Sequence, residues 1–110
     1  MAQRIVIVGG GYTGAAVAMQ FSKHATRPME IIVVEPRPDV GLGAAYSTPD
    51  TVLRLNVEER LMVLHVDAID AFPRWLEQSG SRVDDPDGEN GRGQFSARRS
   101  DFGRYMIAVV

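Results

Sequence analysis

The sequence has 110 residues, a formal net charge of −2 and no cysteine. A chain of this length forms one small domain, and its nearly balanced charge gives no reason to expect nucleic acid or an anionic membrane as a partner. The lack of cysteine excludes disulfides, thiolate metal sites and cysteine nucleophiles. No apolar stretch approaches the roughly 18 residues of a membrane span, so we expect a cytoplasmic protein.

The first strand is predicted over about residues 4–8 and is followed by a phosphate-binding loop. Residues 5–8 read Ile-Val-Ile-Val, a β-branched run typical of a parallel strand that is covered on both faces. Gly9, Gly11 and Gly14 then form a G-x-G-x-x-G motif. In such motifs the first glycine permits a tight turn, the second lets a pyrophosphate approach the backbone, and the third lets a helix pack closely on the strand. The pattern predicts a dinucleotide-binding loop.

A helix and a second strand follow the motif. We predict the helix over about 13–24, because residues 15–19 are small or apolar, and its N-terminus would direct backbone N–H groups toward phosphates. The second strand, over about 30–35, is again apolar on both faces. A helix that joins two such strands predicts a parallel β-α-β unit with a right-handed crossover. The predicted fold class is α/β: a partial Rossmann-type unit with additional helices and a sheet that is incomplete in this chain.

An acidic residue ends the second strand. Glu35 lies 21 residues after Gly14, close to the roughly 20-residue spacing at which a carboxylate reaches the ribose hydroxyls of a dinucleotide. A carboxylate there favours FAD or NAD over NADP, because it would repel a 2′-phosphate. The alternative is that Glu35 is only the polar end of a strand. Arg37 also leaves two interpretations open, a contact with the cofactor or a solvated side chain.

Patterns in the remainder of the chain are weaker. A second Gly-rich loop covers 40–47, and a helix is predicted over 71–78 with Asp70 as its N-cap. Residues 79–94 are rich in Gly, Asp, Ser and Asn, which predicts a long mobile polar loop. A final helix is predicted to begin near Ser100.

Few side chains suggest chemistry of their own. His24 and His65 are isolated, and no second histidine or carboxylate stands at metal-ligand spacing, so we expect no metal site. Arg98 and Arg99 would either reach a phosphate or lie solvated at a helix entry. Trp75 is interpreted as part of the core. We find no evident acid, base or nucleophile, and the catalytic residues stay unassigned.

Three motifs together resemble one known family. Residues 8–14 read Val-Gly-Gly-Gly-Tyr-Thr-Gly, residues 33–38 read Val-Val-Glu-Pro-Arg-Pro, and residues 41–48 read Gly-Leu-Gly-Ala-Ala-Tyr-Ser-Thr. They resemble the N-terminal portion of the bacterial FAD/NAD(P)-binding family of YdhS-like flavoproteins, and the third motif is the specific part. The resemblance covers nearly the whole chain except 79–94, and its further matches are at 55–57, 72–76 and 95–105.

The resemblance implies a flavin-dependent oxidoreductase, distantly similar to monooxygenases, that binds FAD and in its full length NAD(P)H as well. It implies that the glycine motif contacts the FAD pyrophosphate, that Glu35 contacts the ribose, and that 41–46 runs beside the flavin end, with Asn56 near the same cleft. The complete predicted cofactor-binding set is Gly9, Gly10, Gly11, Tyr12, Thr13, Gly14, Glu35, Pro36, Arg37, Gly43, Ala44, Tyr46 and Asn56.

Family members run several times longer, so we expect residues 1–110 to be the N-terminal part of an FAD/NAD(P)-binding domain that is not catalytic alone. A C-terminal region or self-association would then complete the sheet. Two alternatives stay open. The chain could be an NAD-binding module of a dehydrogenase or a sensor, or a non-catalytic fragment that self-associates.

Overall fold

The computed structural model describes residues 3–110. The helices and strands of this part of the chain are β1 (Gln3–Val8), α1 (Tyr12–His24), β2 (Met29–Val34), α2 (Gly43–Tyr46), α3 (Ala71–Gln78) and α4 (Arg99–Val109). Short 3₁₀ turns lie at Glu59–Leu61 and Pro86–Gly88. The chain divides into two units, of which the first runs to Ser47 and includes Met106–Val110, and the second is Thr48–Tyr105.

The first unit contains the β-α-β arrangement that the sequence predicts. Strands β1 and β2 pair in parallel, with Val6 opposite Ile32, and they form a two-stranded sheet within the described residues. Helix α1 connects them. The predicted α/β class with a partial Rossmann-type unit is therefore confirmed, and each of the three elements begins and ends within one residue of its predicted bounds.

The expectation that both strands are covered on both faces is wrong for this structure. Burial alternates along each strand. The side chains of Val6 and Val8 are 55% and 83% exposed, and Ile32 and Val34 on the same face are also exposed. Helix α1 packs only on the opposite face, where Ile7 lies under the first turn of the helix. Because successive strand residues point to opposite faces, one helix covers only alternate side chains.

The second unit is built around a cluster of aromatic side chains from α3 and α4. The ring of Phe72 lies 5.0 Å from the rings of both Phe102 and Tyr105, and Trp75 packs 5.7 Å from Tyr105. Leu76 beside them is fully buried. The interpretation of Trp75 as core packing is therefore confirmed. Each such ring pair contributes about 0.5–1.5 kcal/mol beyond its buried area, so these contacts hold α3 against α4.

Asp70 takes the N-cap position of α3, as predicted, but its side chain makes no capping hydrogen bond. The backbone of Asp70 has φ −101° and ψ 10° rather than the extended conformation in which a cap carboxylate reaches the N2 or N3 amide. Its carboxylate instead pairs with Arg74 one turn later, at 3.2 Å. This pair is exposed and adds little stability.

A buried carboxylate anchors the polar segment 79–94. Asp85 is 1% exposed and accepts hydrogen bonds from both Nη atoms of Arg54, at 2.8 and 2.7 Å. Arg98 lies 3.5 Å from the same carboxylate, and Arg54 also donates to the Ser96 carbonyl. The segment otherwise holds turns and the 3₁₀ turn. The predicted mobility of the segment stays a prediction, but one carboxylate ties it to two neighbouring stretches of the chain.

We predict that Asp85→Ala destabilises the second unit by about 3 kcal/mol, at the lower end of the cost of breaking a buried ion pair. The loss leaves Arg54 and Arg98 without their shared anion. Urea unfolding, followed by the emission of Trp75, measures the change. Removal of the neighbouring exposed carboxylate in Asp84→Ala is the matched control, and an equal loss in both variants would contradict the prediction.

The same carboxylate makes the stability of the second unit depend on pH in the acid range. The hydrogen bonds from Arg54 hold the pKa of Asp85 below its ordinary value. Because the folded-state pKa lies below the unfolded value of about 3.9, this stabilisation is complete above that value and disappears as the pH falls through the folded-state pKa. We expect the stability difference between the wild type and Asp85→Ala to shrink over that acid range and to be constant near neutral pH.

Candidate functional site

The three glycines of the G-x-G-x-x-G motif, which spans the loop after β1 and the first turn of α1, lie in three different environments. Gly9 has a φ of +100°, which favours glycine, and its N–H donates to the Val34 carbonyl at 2.9 Å. A Cβ on Gly14 would overlap the Gly9 carbonyl oxygen. Gly11 is different, because the nearest atom to an added Cβ would be Gly43 Cα at 3.5 Å, an ordinary contact. Gly9 and Gly14 are therefore required by the fold, whereas Gly11 is not.

The second Gly-rich segment packs directly on this loop. The Gly41 N–H donates to the Gly10 carbonyl at 2.7 Å. A Cβ on Gly43 would lie 3.3 Å from Gly11 Cα, so the two backbones are nearly in contact. Residues 43–46 form a single helical turn, α2, rather than an irregular loop. The structure thus brings together two glycine-rich segments that lie about 30 residues apart in the sequence.

The two segments line one groove of about 450 Å³. Eight members of the predicted cofactor-binding set line it: Gly9, Gly11, Tyr12, Thr13, Gly14, Gly43, Ala44 and Tyr46. The rings of Tyr12 and Tyr46, one from each segment, meet edge to face with centroids 6.3 Å apart. Ile7, Val8 and Val17 also line the groove and were not predicted. Their only signal in the sequence is that they flank the glycine motif.

The groove is electrically neutral in its side chains. Among the lining residues that the structure describes there is no Asp, Glu, Lys, Arg or His. The first N–H groups of an α-helix have no acceptor within the helix, and α1 begins at this groove. Burial, with a smaller contribution from Tyr46, raises the pKa of Tyr12, so its hydroxyl stays neutral near pH 7. The groove is suited to an anion that is bound by backbone amides and hydroxyls.

Glu35 is close to the loop, but it does not line the groove. Its side chain is 5% exposed, and its carboxylate accepts one hydrogen bond from the Gly10 N–H at 3.1 Å and one from the Arg37 N–H at 2.9 Å. The Arg37 guanidinium lies 3.7 Å from the same carboxylate. The predicted contact with a ribose stays a prediction. Besides the predicted ribose, this carboxylate therefore has partners within the protein itself.

The remaining predicted residues lie elsewhere. Pro36 and Arg37 are exposed just after β2, and Asn56 is exposed in a bend of the second unit. Arg98 and Arg99 are half-buried and have partners in the protein: Arg98 pairs with Asp85, and Arg99 donates to the Arg54 carbonyl at 2.9 Å.

Two further observations concern metals and membranes. Within residues 3–110, no three side chains of the metal-binding types come together. No helix in this part of the chain has the length and apolar character needed to cross a bilayer.

A larger concavity, of about 680 Å³, lies along α1. Its lining is mostly apolar and includes Phe21 and Met29. It contains none of the glycines of the phosphate loop. A pyrophosphate is held mainly by backbone amides at a helix N-terminus, and of the two concavities only the smaller groove is lined by these glycines.

A parallel β-α-β unit, whose glycine-rich loop opens a helix beside a neutral groove, defines a dinucleotide-binding domain of the oxidoreductase type. The chain belongs to the FAD-NAD(P)-binding family, whose family model matches residues 6–110. Its cofactor is accordingly a flavin or nicotinamide dinucleotide. Searches of curated proteins and of solved structures returned no match.

We predict opposite outcomes for two glycine variants of this loop. Gly14→Ala should lower the thermal midpoint strongly, because its Cβ overlaps the Gly9 carbonyl and forces α1 away from β1. Gly11→Ala meets only an ordinary contact, and its midpoint should stay close to that of the wild type. Circular dichroism melts of the two variants test this. Equal midpoints would mean that the close approach at Gly14 does not exist in solution.

Proposed function

We propose that this chain binds FAD and that the groove between the two glycine-rich segments holds the ADP moiety of FAD. The observation that carries the proposal is the near contact of Gly11 with Gly43 beside a neutral groove. Because neither residue carries a side chain, a diphosphate in the groove beside them could approach their backbone amides. Membership in the FAD-NAD(P)-binding family supports the proposal.

We also propose that the chain belongs to the YdhS-like branch of this family. The Gly-Leu-Gly-Ala-Ala-Tyr-Ser segment at 41–47 resembles YdhS-like flavoproteins, and in this structure its helical turn lines the groove. We propose that Glu35 contacts the adenosine ribose through the lone pairs that its two protein hydrogen bonds leave free. A carboxylate at that place disfavours a 2′-phosphate, which selects FAD or NAD over NADP.

The residues present fit a cofactor-dependent reaction. The bound flavin would supply the redox chemistry itself. The lining side chains include no acid, base or nucleophile other than the hydroxyls of Thr13, Tyr12 and Tyr46. The protein would bind the diphosphate with loop amides, and the Tyr12 hydroxyl, which is neutral, would donate or accept a hydrogen bond without repelling a phosphate.

An NAD-binding module is the alternative within the same class, because the glycine motif and Glu35 serve both cofactors. The visible absorption of the purified protein separates the two. Flavin bands that remain after gel filtration support FAD. A colourless protein that binds NAD in calorimetry and does not take up added FAD contradicts the proposal.

We predict that Gly11→Val weakens ADP binding by at least about tenfold, which corresponds to about 1.4 kcal/mol. Its side chain would occupy the space through which the diphosphate approaches the loop. Isothermal titration with ADP measures the affinity. Gly91→Ala is the matched control, because Gly91 lies in open space with an ordinary φ. Unchanged ADP affinity in Gly11→Val, with a fold that melts as the wild type does, would refute the site.

The exposed face of the sheet favours a second candidate function, that of a self-associating module. Val6, Val8, Ile32 and Val34 form one contiguous apolar face, and such faces commonly mark protein–protein contacts. We expect sedimentation to show a concentration-dependent dimer whose dissociation constant rises in Val6→Thr, because Val6 is exposed on this face and does not line the groove. A monomer at all concentrations would contradict this second candidate and leave the cofactor proposal unaffected.

A further inference from the structure

Gly10 is held at both of its polar backbone groups, although it is not one of the three motif glycines. Its N–H donates to the Glu35 carboxylate at 3.1 Å, and its carbonyl accepts from the Gly41 N–H at 2.7 Å. Gly10 is buried. A residue fixed on both sides in this way has little freedom to change its backbone angles.

The packing around Gly10 shows that the carboxylate is part of the loop. A Cβ on Gly10 would lie only 2.7 Å from Glu35 Cβ and 3.1 Å from Val33 Cγ1. The side chain of Glu35 therefore lies directly over this glycine and is 5% exposed. A buried carboxylate is stable there because two backbone N–H groups and the Arg37 guanidinium compensate for the lost solvent.

The position of Gly10 determines the orientation of the next amide. In a trans peptide the C=O and the N–H lie in one plane and point in opposite directions. When Gly41 fixes the Gly10 carbonyl, the direction of the Gly11 N–H is fixed as well. Gly11 lines the groove, so the hydrogen bonds on Gly10 control how the phosphate loop presents its backbone there.

We propose that Glu35 is a positioning residue: its carboxylate fixes Gly10 and thereby the binding conformation of the phosphate loop. The consequence of this inference is that Glu35 affects binding of the diphosphate itself and not only of the ribose. That consequence rests on the proposed function. An acidic residue at the end of β2 then has two roles, one toward the protein and one toward the ligand.

The test compares ligands with and without ribose hydroxyls. Titrations of the full chain with ADP, 2′,3′-dideoxy-ADP and inorganic pyrophosphate measure the affinities for the wild type and Glu35→Ala. We expect Glu35→Ala to weaken all three ligands by roughly tenfold, because a buried N–H loses its acceptor and the loop loses its fixed conformation. Unchanged binding of pyrophosphate and dideoxy-ADP, with weakened ADP, would show that Glu35 acts on the ribose alone and would overturn the inference.

Two further variants separate positioning from charge and from packing. Glu35→Gln keeps an acceptor for the Gly10 N–H and nearly the same volume, so it should recover part of the pyrophosphate affinity that Glu35→Ala loses. Glu30→Gln removes the same charge from an exposed side chain at the other end of β2, which pairs with Arg4. We expect it to bind all three ligands as the wild type does. A pyrophosphate affinity as low in Glu30→Gln as in Glu35→Ala would mean that net charge, not positioning, accounts for the effect.

A measurement without ligand distinguishes failure of this inference from failure of the proposed function. We expect the Gly10 amide to be protected from hydrogen exchange in the wild type and to exchange at least about tenfold faster in Glu35→Ala. If the wild type binds none of the three ligands, the proposed function fails, and this exchange rate still decides the positioning role. Equal Gly10 exchange in the two proteins would overturn the inference.

Discussion

The close approach of Gly14 to the Gly9 carbonyl is the constraint on which the first unit depends. With no Cβ between them, the first turn of α1 lies against the end of β1. The Gly9 N–H extends the pairing of the sheet to the Val34 carbonyl, so the same two glycines locate the loop relative to both strands. The groove follows from this arrangement. A helix set farther from the strand would separate its N-terminus from the glycine-rich segment at 41–46.

The phosphate loop is held in place by protein contacts on either side, from Glu35 and from Gly41, before any ligand is considered. Ordering a loop in advance removes part of the entropy cost of binding. The contacts come from separate segments: the residue that follows β2 supplies the carboxylate, and the second glycine-rich segment supplies the amide. The three segments that carry the sequence resemblance are thus connected by hydrogen bonds at Gly10, a residue that the G-x-G-x-x-G pattern leaves unspecified. Membership in the FAD-NAD(P)-binding family is consistent with a loop organised in this way.

The features that could be predicted from the sequence are those that depend on local patterns of residues. Apolar runs and glycine spacing placed β1, α1 and β2 almost to the residue, because strand, turn and helix preferences act over a few neighbours. Exposure of the strand face at Val8 could not be predicted, since a β-branched run does not tell whether a second layer covers it. The pairing of Arg54 with Asp85 joins residues 31 positions apart, and an aspartate in a Gly- and Ser-rich stretch has the same local pattern whether it is solvated or buried. The partners of Glu35 were missed for the same reason, because hydrogen bonds to backbone amides leave no trace in side-chain identity.

The aromatic residues give the two units different intrinsic chromophores. The single tryptophan, Trp75, lies in the cluster of the second unit with Tyr105, whereas Tyr12 and Tyr46 lie in the groove of the first. Tryptophan emission therefore reports on the second unit, and it is no measure of whether the phosphate loop is intact. Two of the three tyrosines line the groove and the third packs on Trp75, so tyrosine absorption reports on both units. The melting of the second unit alone can thus be followed by tryptophan emission, without an added label.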